Sequence, residues 1–323
     1  REFIIKDNSA FGQYDMDALA NLWSDLPLVE WGVDLPEDWL TGGAGTGDPT
    51  DAEPQIDRAE ELNKTWRVKT GDLWQIGEHR LLCGDSTKKE DVARVMGGEK
   101  ADMVLTDPPY GMYLDTDFSS MKNELKFAQA KGVKAGKKYN QVEGDHADFR
   151  PELIISLFDN FNYCKEMFLF GADYYSEYLQ DKNGGSWIVW DKRSNDDTAD
   201  DIVASRDKIF TSAFELCWSK YKHKRKIARI LWAGIFGTEK ENNHVRYHPT
   251  QKPVRLFEWF LNNWGKPGDV LTDPFLGSGT TMVACQNLNR KCRGIEISPA
   301  YCAVILQRMT DAFPGIEIRR IDK

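Results

Sequence analysis

No uncharged apolar run in the 323 residues approaches the roughly 20 that span a bilayer, which excludes a membrane-embedded function. The six cysteines (Cys83, Cys164, Cys217, Cys285, Cys292 and Cys302) form no Cys-x-x-Cys pair and show no zinc-ligand spacing. A disulfide scaffold and a zinc finger are therefore excluded, no metal site is expected, and reduced core thiols in a cytoplasm fit best. No basic-then-apolar signal stands at the start, and the chain opens on Arg1 rather than Met, as expected of a fragment or a processed chain. There is no internal repeat. What is present is 41% hydrophobic and 29% charged residues, enough chain for one large α/β domain with an appendage or for two modest domains.

Basic residues are scarce at the front. Residues 1–65 hold four Lys/Arg against fifteen Asp/Glu, a net of -11, so the overall -9 leaves +2 for the remainder. Within that remainder residues 219–255 carry a net of +8, centred on Lys220, Lys222, Lys224, Arg225 and Lys226 with Arg229 close behind, and residues 119–138 add six lysines against Glu124. Clustered cations with interleaved aromatics suit phosphate contacts, because meeting a polyanion releases counterions; a solvated lysine-rich face has the same composition.

Residues 41–57 combine Gly, Pro and acid with almost nothing apolar and read as a flexible linker. The expected division is an acidic helical segment with linker over 1–65 and a catalytic body over 66–323. In that body short apolar runs alternate with helical patterns, which predicts a mainly parallel sheet covered on both faces. Strands are predicted at 81–83, 103–106, 167–170, 187–190, 214–218, 270–272 and 293–297. Helices are predicted at 89–96, 151–161, 172–179, 253–264, 280–288 and 299–312. Residues 111–148 lack periodicity and are long for a loop, so they read as a functional lid or as partly disordered.

Two constellations carry chemistry. Thr106-Asp107-Pro108-Pro109-Tyr110 follows an apolar strand, where ligands of open α/β sheets sit. The two prolines remove backbone donors and leave carbonyls free, so Asp107, the Pro108 carbonyl and Tyr110 suit a flat heterocycle bearing an exocyclic amine. An acid-Pro-Pro turn is the plainer reading of the same residues. The second is Asp273-Pro-Phe-Leu-Gly-Ser-Gly-Thr-Thr281, a strand, a glycine-rich turn and a helix. It lacks the Walker lysine and the dinucleotide GxGxxG, which disfavours nucleoside triphosphates. Gly277 and Gly279 with Glu296 at the end of the next strand point to a nucleoside-containing cofactor.

Asp107–Tyr110 and Phe275–Gly279 resemble the signature motifs of S-adenosylmethionine-dependent DNA amino-methyltransferases. With the catalytic motif first, the order is similar to the β group. Leu82–Asp85, Arg246–Pro253 and Gly294–Tyr301 agree, and together these cover about residues 66–310. The resemblance implies a Rossmann-like, doubly wound, mainly parallel seven-stranded α/β sheet of the class I methyltransferase type with circularly permuted motif order. It implies S-adenosylmethionine as cofactor, with Asp85 on the adenine, Glu296 on the ribose, Asp273, Phe275, Gly277 and Gly279 around the methionine part, Thr250 and Lys252 at its amino-acid end, and Asp107 beside it. The target base would be received by Asp107, Pro108, Pro109 and Tyr110.

The resemblance further implies a DNA partner, expected double-stranded, with target recognition over about 191–247 and phosphate contacts from Lys220, Lys222, Lys224, Arg225, Lys226 and Arg229. Carbon-5 methylation of cytosine needs a thiolate, commonly in a Pro-Cys pair, and no such dipeptide occurs. The leading Asp favours adenine N6; cytosine N4, an inactive DNA-binding module on the same fold and an RNA substrate stay as alternatives. Residues 1–40 resemble the tail of a ParB-like domain fused ahead of some phage-type methylases. A cytoplasmic setting in a bacterial or phage-infected cell is expected, and whether two copies associate is left open.

Overall fold

The computed structural model describes residues 50–109, 149–192, 214–230 and 251–321. The acidic front segment to residue 49, the 111–148 stretch and most of the expected target-recognition region lie outside them. The strands are β1 Leu73–Ile76, β2 His79–Cys83, β3 Met103–Thr106, β4 Glu166–Phe170, β5 Ser186–Asp191, β6 Phe214–Ser219, β7 Ile227–Arg229, β8 Val270–Asp273, β9 Lys291–Glu296 and β10 Ile318–Ile321. The helices are α1 Ala59–Trp66, α2 Lys89–Met96, α3 Pro151–Phe161, α4 Val254–Trp264, α5 Thr280–Asn287 and α6 Pro299–Ala312.

The strands form one sheet in the order β10-β1-β2-β9-β8-β3-β4-β6-β5-β7. Its centre, β2-β9-β8-β3-β4, is parallel throughout, and β6 enters antiparallel to β4 and to β5. The run β2 to β5 supplies the seven strands expected; the sheet has ten because β1 and β10 extend one edge and β7 the other. The edge strands escaped the sequence reading because β1 is buried only at alternate residues and β10, Ile-Arg-Arg-Ile, carries two exposed charges.

Both faces are covered, and the strands show why. Leu81 and Cys83, Met103 and Leu105, and Phe168 and Phe170 face one apolar core with α1, α4, α5 and α6. The alternate residues Leu82, Val104, Met167 and Leu169 face a second core with α2 and α3. A strand buried on both sides must be apolar at every position, which is what the runs Met103–Leu105 and Met167–Phe170 are. Each large side chain so buried contributes about 1.5–3 kcal/mol. Among the described residues no helix is long and apolar enough to cross a membrane.

Two expectations are corrected. Residues 172–179 are turns with a short 3-10 segment at Ser176–Tyr178, not a helix. Gly171 takes φ +64 and the buried Tyr175 donates its hydroxyl back to the Phe170 carbonyl at 2.6 Å, a connection an α-helix leaving β4 would not make. The flexible reading of 41–57 does not hold at its end: Asp51 pairs with Arg308, Asn287 donates to the Thr50 carbonyl, and α1 packs on α6 through Ala59 and Leu62.

Candidate active site

Register gathers the functional motifs at one edge of the sheet. Cys83 pairs with Glu296, Asp273 with Gly294, Val104 with Thr272 and Thr106 with Leu169, so the carboxyl ends of β2, β9, β8, β3 and β4 lie side by side. Because β6 is antiparallel, with Cys217 opposite Phe170, its amino end carries Glu215 to the same edge.

Asp107, directly after β3, contacts the Lys252 ammonium, which lies 3.5 Å from Glu215 and 4.9 Å from the centre of the Phe170 ring. Glu215 in turn pairs with Lys192 at 2.5 Å. Two carboxylates and two ammoniums thus alternate across β3, β6 and the end of β5, and the set is neutral. Burial pushes Asp107 above the ordinary carboxylate range; Lys252 opposes this and the charge of Glu215 adds to it. For Glu215 burial acts the same way but is outweighed by Lys252 and Lys192, which hold it below its usual value. Asp107 Oδ1 is closed off from solvent and has no hydrogen-bond partner among the described residues. Pro108 is buried and Pro109 half-buried behind it, and neither offers an N–H.

The glycine-rich turn is seated by β9 and α6. Leu276 N–H donates to the Ile295 carbonyl, and its side chain lies where Gly294 has none: a Cβ there would stand 2.4 Å from Leu276 Cδ2. Gly277 and Gly279 take φ +55 and +86, and a Cβ at Gly277 would meet nothing, so the turn leaves open space on that side. Glu296 accepts from Gly277 N–H at 2.9 Å and from Ser298 N–H at 2.8 Å, which fixes the orientation of its carboxylate beside the turn. After β2, Asp85 accepts from the Thr87 N–H and hydroxyl; burial works against its charge, but these bonds prevail and hold it below the usual range. The open glycine turn, the Glu296 carboxylate and the ionised Asp85 fit a nucleoside-bearing cofactor, with Phe275, half-buried, beside them.

Not every expected residue is placed as expected. Tyr110 and Thr250 lie outside the described residues. Asp273 spends its carboxylate on protein donors, the Thr106 hydroxyl at 2.6 Å, the Thr281 hydroxyl at 2.5 Å and Phe275 N–H at 3.1 Å, so it braces the turn rather than facing a ligand. Lys252, expected at the cofactor's amino-acid end, is engaged with Asp107 and Glu215. Lys220 donates to the Asn162 and Cys164 carbonyls, and Lys226 is tied to Asn263 beside Trp264. Burial pushes Lys226 below the usual lysine range, and the charge of Lys224 adds to the effect.

The turn between β6 and β7, carrying the exposed Lys222, Lys224 and Arg225, follows Ser219 at the amino ends of the parallel strands. That is the edge away from Asp107, about 13 Å down β6 from Glu215 at some 3.3 Å per residue. Arg229, exposed and paired with Asp191, lies toward the Asp107 edge. Glu215 and Lys192 were not foreseen. The signal was a lone acid inside the apolar run Phe214-Glu-Leu-Cys-Trp218, since a charge buried in a strand needs a partner.

A family model described as DNA methylase, of the N6/N4 type, matches residues 101–307. Type II methyltransferase M.HpaI of Haemophilus parainfluenzae is 26% identical over 256 residues, 74% of this chain and 77% of that protein. Type II methyltransferase M2.DpnII of Streptococcus pneumoniae is 38% identical over 84 residues, 26% of this chain and 31% of that protein. Among solved structures, the M1.HpyAVI–SAM complex aligns with a TM-score of 0.42 and 21% identity, covering 72% of this chain and 98% of that one.

Proposed function

The chain belongs to the N6/N4 DNA methylase family, and from that membership we propose that it methylates the exocyclic N6 of adenine at a specific sequence in double-stranded DNA, with the base turned out of the stack. S-adenosylmethionine is the methyl donor; when bound it supplies an electrophilic sulfonium methyl. The observation that supports the reading is Asp107 Oδ1, an enclosed acceptor without a donor among the described residues, at the end of the strand next to the one that bears the glycine-rich turn.

An exocyclic aromatic amine is a poor nucleophile because its lone pair is delocalised into the ring, so the protein's task is to activate the nitrogen. Asp107 accepts from one amine N–H and the Pro108 carbonyl accepts from the other. Both acceptors would stabilise the positive charge that develops on nitrogen as it takes the methyl group. Asp107 is then the nearest acceptor for the proton the nitrogen sheds. Lys252, held between Asp107 and Glu215, fixes the direction of the Asp107 carboxylate. Glu296 and Asp85 hold the nucleoside part of the cofactor, Phe275 and the Gly277–Gly279 turn its remainder, and this positioning supplies much of the rate. Tyr110 offers the extruded base a stacking face, offsetting part of the few kcal/mol that unstacking costs.

The leading Asp107, together with the resemblance, favours adenine over cytosine. The Type II relatives favour a modification role in the cytoplasm of a bacterial or phage-infected cell. Transfer of tritium from labelled cofactor to DNA, followed by digestion to nucleosides, tests the reading. N6-methyladenine is expected, whereas N4-methylcytosine would move the target to the other amine and unlabelled DNA would end the proposal.

A further inference from the structure

The cofactor turn has little conformational preference of its own, since Ser278 stands between two glycines that both take positive φ. Something outside the turn must fix its peptides. On the β9 side Glu296 holds the Gly277 N–H. On the opposite side the task falls to one side chain of α6. Arg308 Nη1 donates to the Ser278 carbonyl at 3.0 Å, to Ser278 Oγ at 3.4 Å and to Thr280 Oγ1 at 3.2 Å. The other edge of the same guanidinium meets both oxygens of Asp51, Nε at 2.8 Å and Nη2 at 2.7 Å. The Arg308 side chain is 0% exposed and that of Asp51 25%. It stands among the buried apolar residues Ile305, Leu306 and Met309 of α6, and Ile305 itself closes on Gly279.

We propose that Arg308 is a positioning residue for the cofactor turn and that Asp51, ahead of α1, holds it there, so that the segment leading into the domain is part of the cofactor site. The proposal rests on the reading of Gly277–Thr280 as the turn that seats the cofactor. A fully buried guanidinium is costly without a counter-charge, and among the described residues Asp51 is the one carboxylate on its fork. The fork is also geometric: two parallel bonds to Asp51 set the plane of the guanidinium, and that plane aims Nη1 at the Ser278 carbonyl. In a planar peptide the carbonyl and the following N–H point opposite ways, so fixing the Ser278 carbonyl fixes the Gly279 N–H, which closes the turn on the Leu276 carbonyl at 2.9 Å. A pair serving only to fasten residue 51 to α6 would not need Nη1 on three acceptors, all of them in the turn. Thr50 is fastened separately through Asn287.

The test uses the full chain and equilibrium dialysis against labelled S-adenosylmethionine, with steady-state methylation and thermal unfolding beside it. Asp51→Asn and Arg308→Lys, which cannot form the two-edged pair, are expected to raise the cofactor dissociation constant and KM on the order of tenfold. At saturating cofactor, kcat is expected to stay within about twofold, since the lost contact acts on binding alone. Asp51→Glu is expected to restore most of the affinity. Should Arg308→Lys fail to fold, Asp51→Asn decides, because it leaves the arginine in place. Unchanged cofactor affinity in Asp51→Asn, with or without a lower melting temperature, overturns the proposal while leaving the function standing. A parent chain that binds no S-adenosylmethionine overturns both.

Discussion

The Thr106 hydroxyl donates to Asp273 Oδ1 at 2.6 Å, joining the last residue of the strand that carries Asp107 to the last residue of the strand that opens the cofactor turn. The same carboxylate receives Thr281 at the start of α5, so one buried acid ties β3, β8 and α5 together. Burial pushes its pKa up to about 6 despite hydrogen bonds from Thr106, Thr281 and Phe275.

A raised acid stabilises the fold below its unfolded value near 3.8 and loses that contribution as pH rises through about 6. Asp273→Asn removes the titration. Its lost hydrogen bonds cost the same at every pH, while the parent bears the penalty for the buried charge, on the order of 2–3 kcal/mol, only above the window, so the substitution relieves it only there. The melting temperature of the variant relative to the parent is therefore expected to rise between pH 4 and pH 7, on the order of 5–10 °C. A difference that does not vary with pH would show that Asp273 is ionised throughout.

Much of this arrangement was legible before the fold. The alternation of apolar runs with helical periodicity located the seven central strands, and the ends of α2, α3 and α6 match the sequence reading residue for residue. Asp107 and Gly277 were legible because each comes after a largely apolar strand, and Glu296 because it closes the next one, where open α/β sheets place ligands. What escaped depends on pairing across the sheet. Glu215 reaches the site only because β6 runs antiparallel, and the reach of Lys252 to Asp107 spans 145 residues of chain. The hydrogen bonds of Asp273 escaped for a related reason, since its partner Thr106 comes from a different strand. The 172–179 segment had helical composition, but the hydroxyl of Tyr175 decided its course.

Asp107→Ala removes the acceptor proposed to face the amine while leaving Glu296, Asp85 and the glycine turn in place. Methyl transfer is expected to fall by roughly 10²–10³ in kcat, the scale for losing one preorganised group that stabilises developing charge. Cofactor affinity is expected to stay within a few-fold, with Lys252 still held by Glu215. Single-turnover transfer of a labelled methyl group, beside dialysis of the cofactor, separates the two; equal turnover in variant and parent would remove Asp107 from the chemistry.

Glu215→Gln tests the charge network by sign. Asp107 is raised first by burial, with the charge of Glu215 adding and those of Lys252 and Lys192 opposing. Removing the Glu215 charge lowers Asp107, so the acid limb of the kcat/KM profile is expected to move to lower pH. It also removes a charge that competes with Asp107 for the Lys252 ammonium, which acts in the same direction. A limb that stays put or moves to higher pH would mean that another group sets it.

The two ends of the basic segment are expected to behave differently toward DNA. Lys222, Lys224 and Arg225 sit on the turn at the far edge of the sheet, whereas Arg229, at the end of β7 beside Asp191, stands toward the edge that holds Asp107. On the proposed function, a duplex with its target base at Asp107 would meet the second position before the first. Arg229→Glu is therefore expected to weaken binding to a short duplex of any sequence and to lower its salt slope by about one. Reversing Lys222, Lys224 and Arg225 together is expected to leave methylation of that duplex within about twofold, because charges more than a Debye length away, roughly 8–10 Å, are largely screened. Binding titrations over a salt series distinguish the cases, and a steeper loss from the triple reversal than from Arg229→Glu would place the phosphates against the far edge.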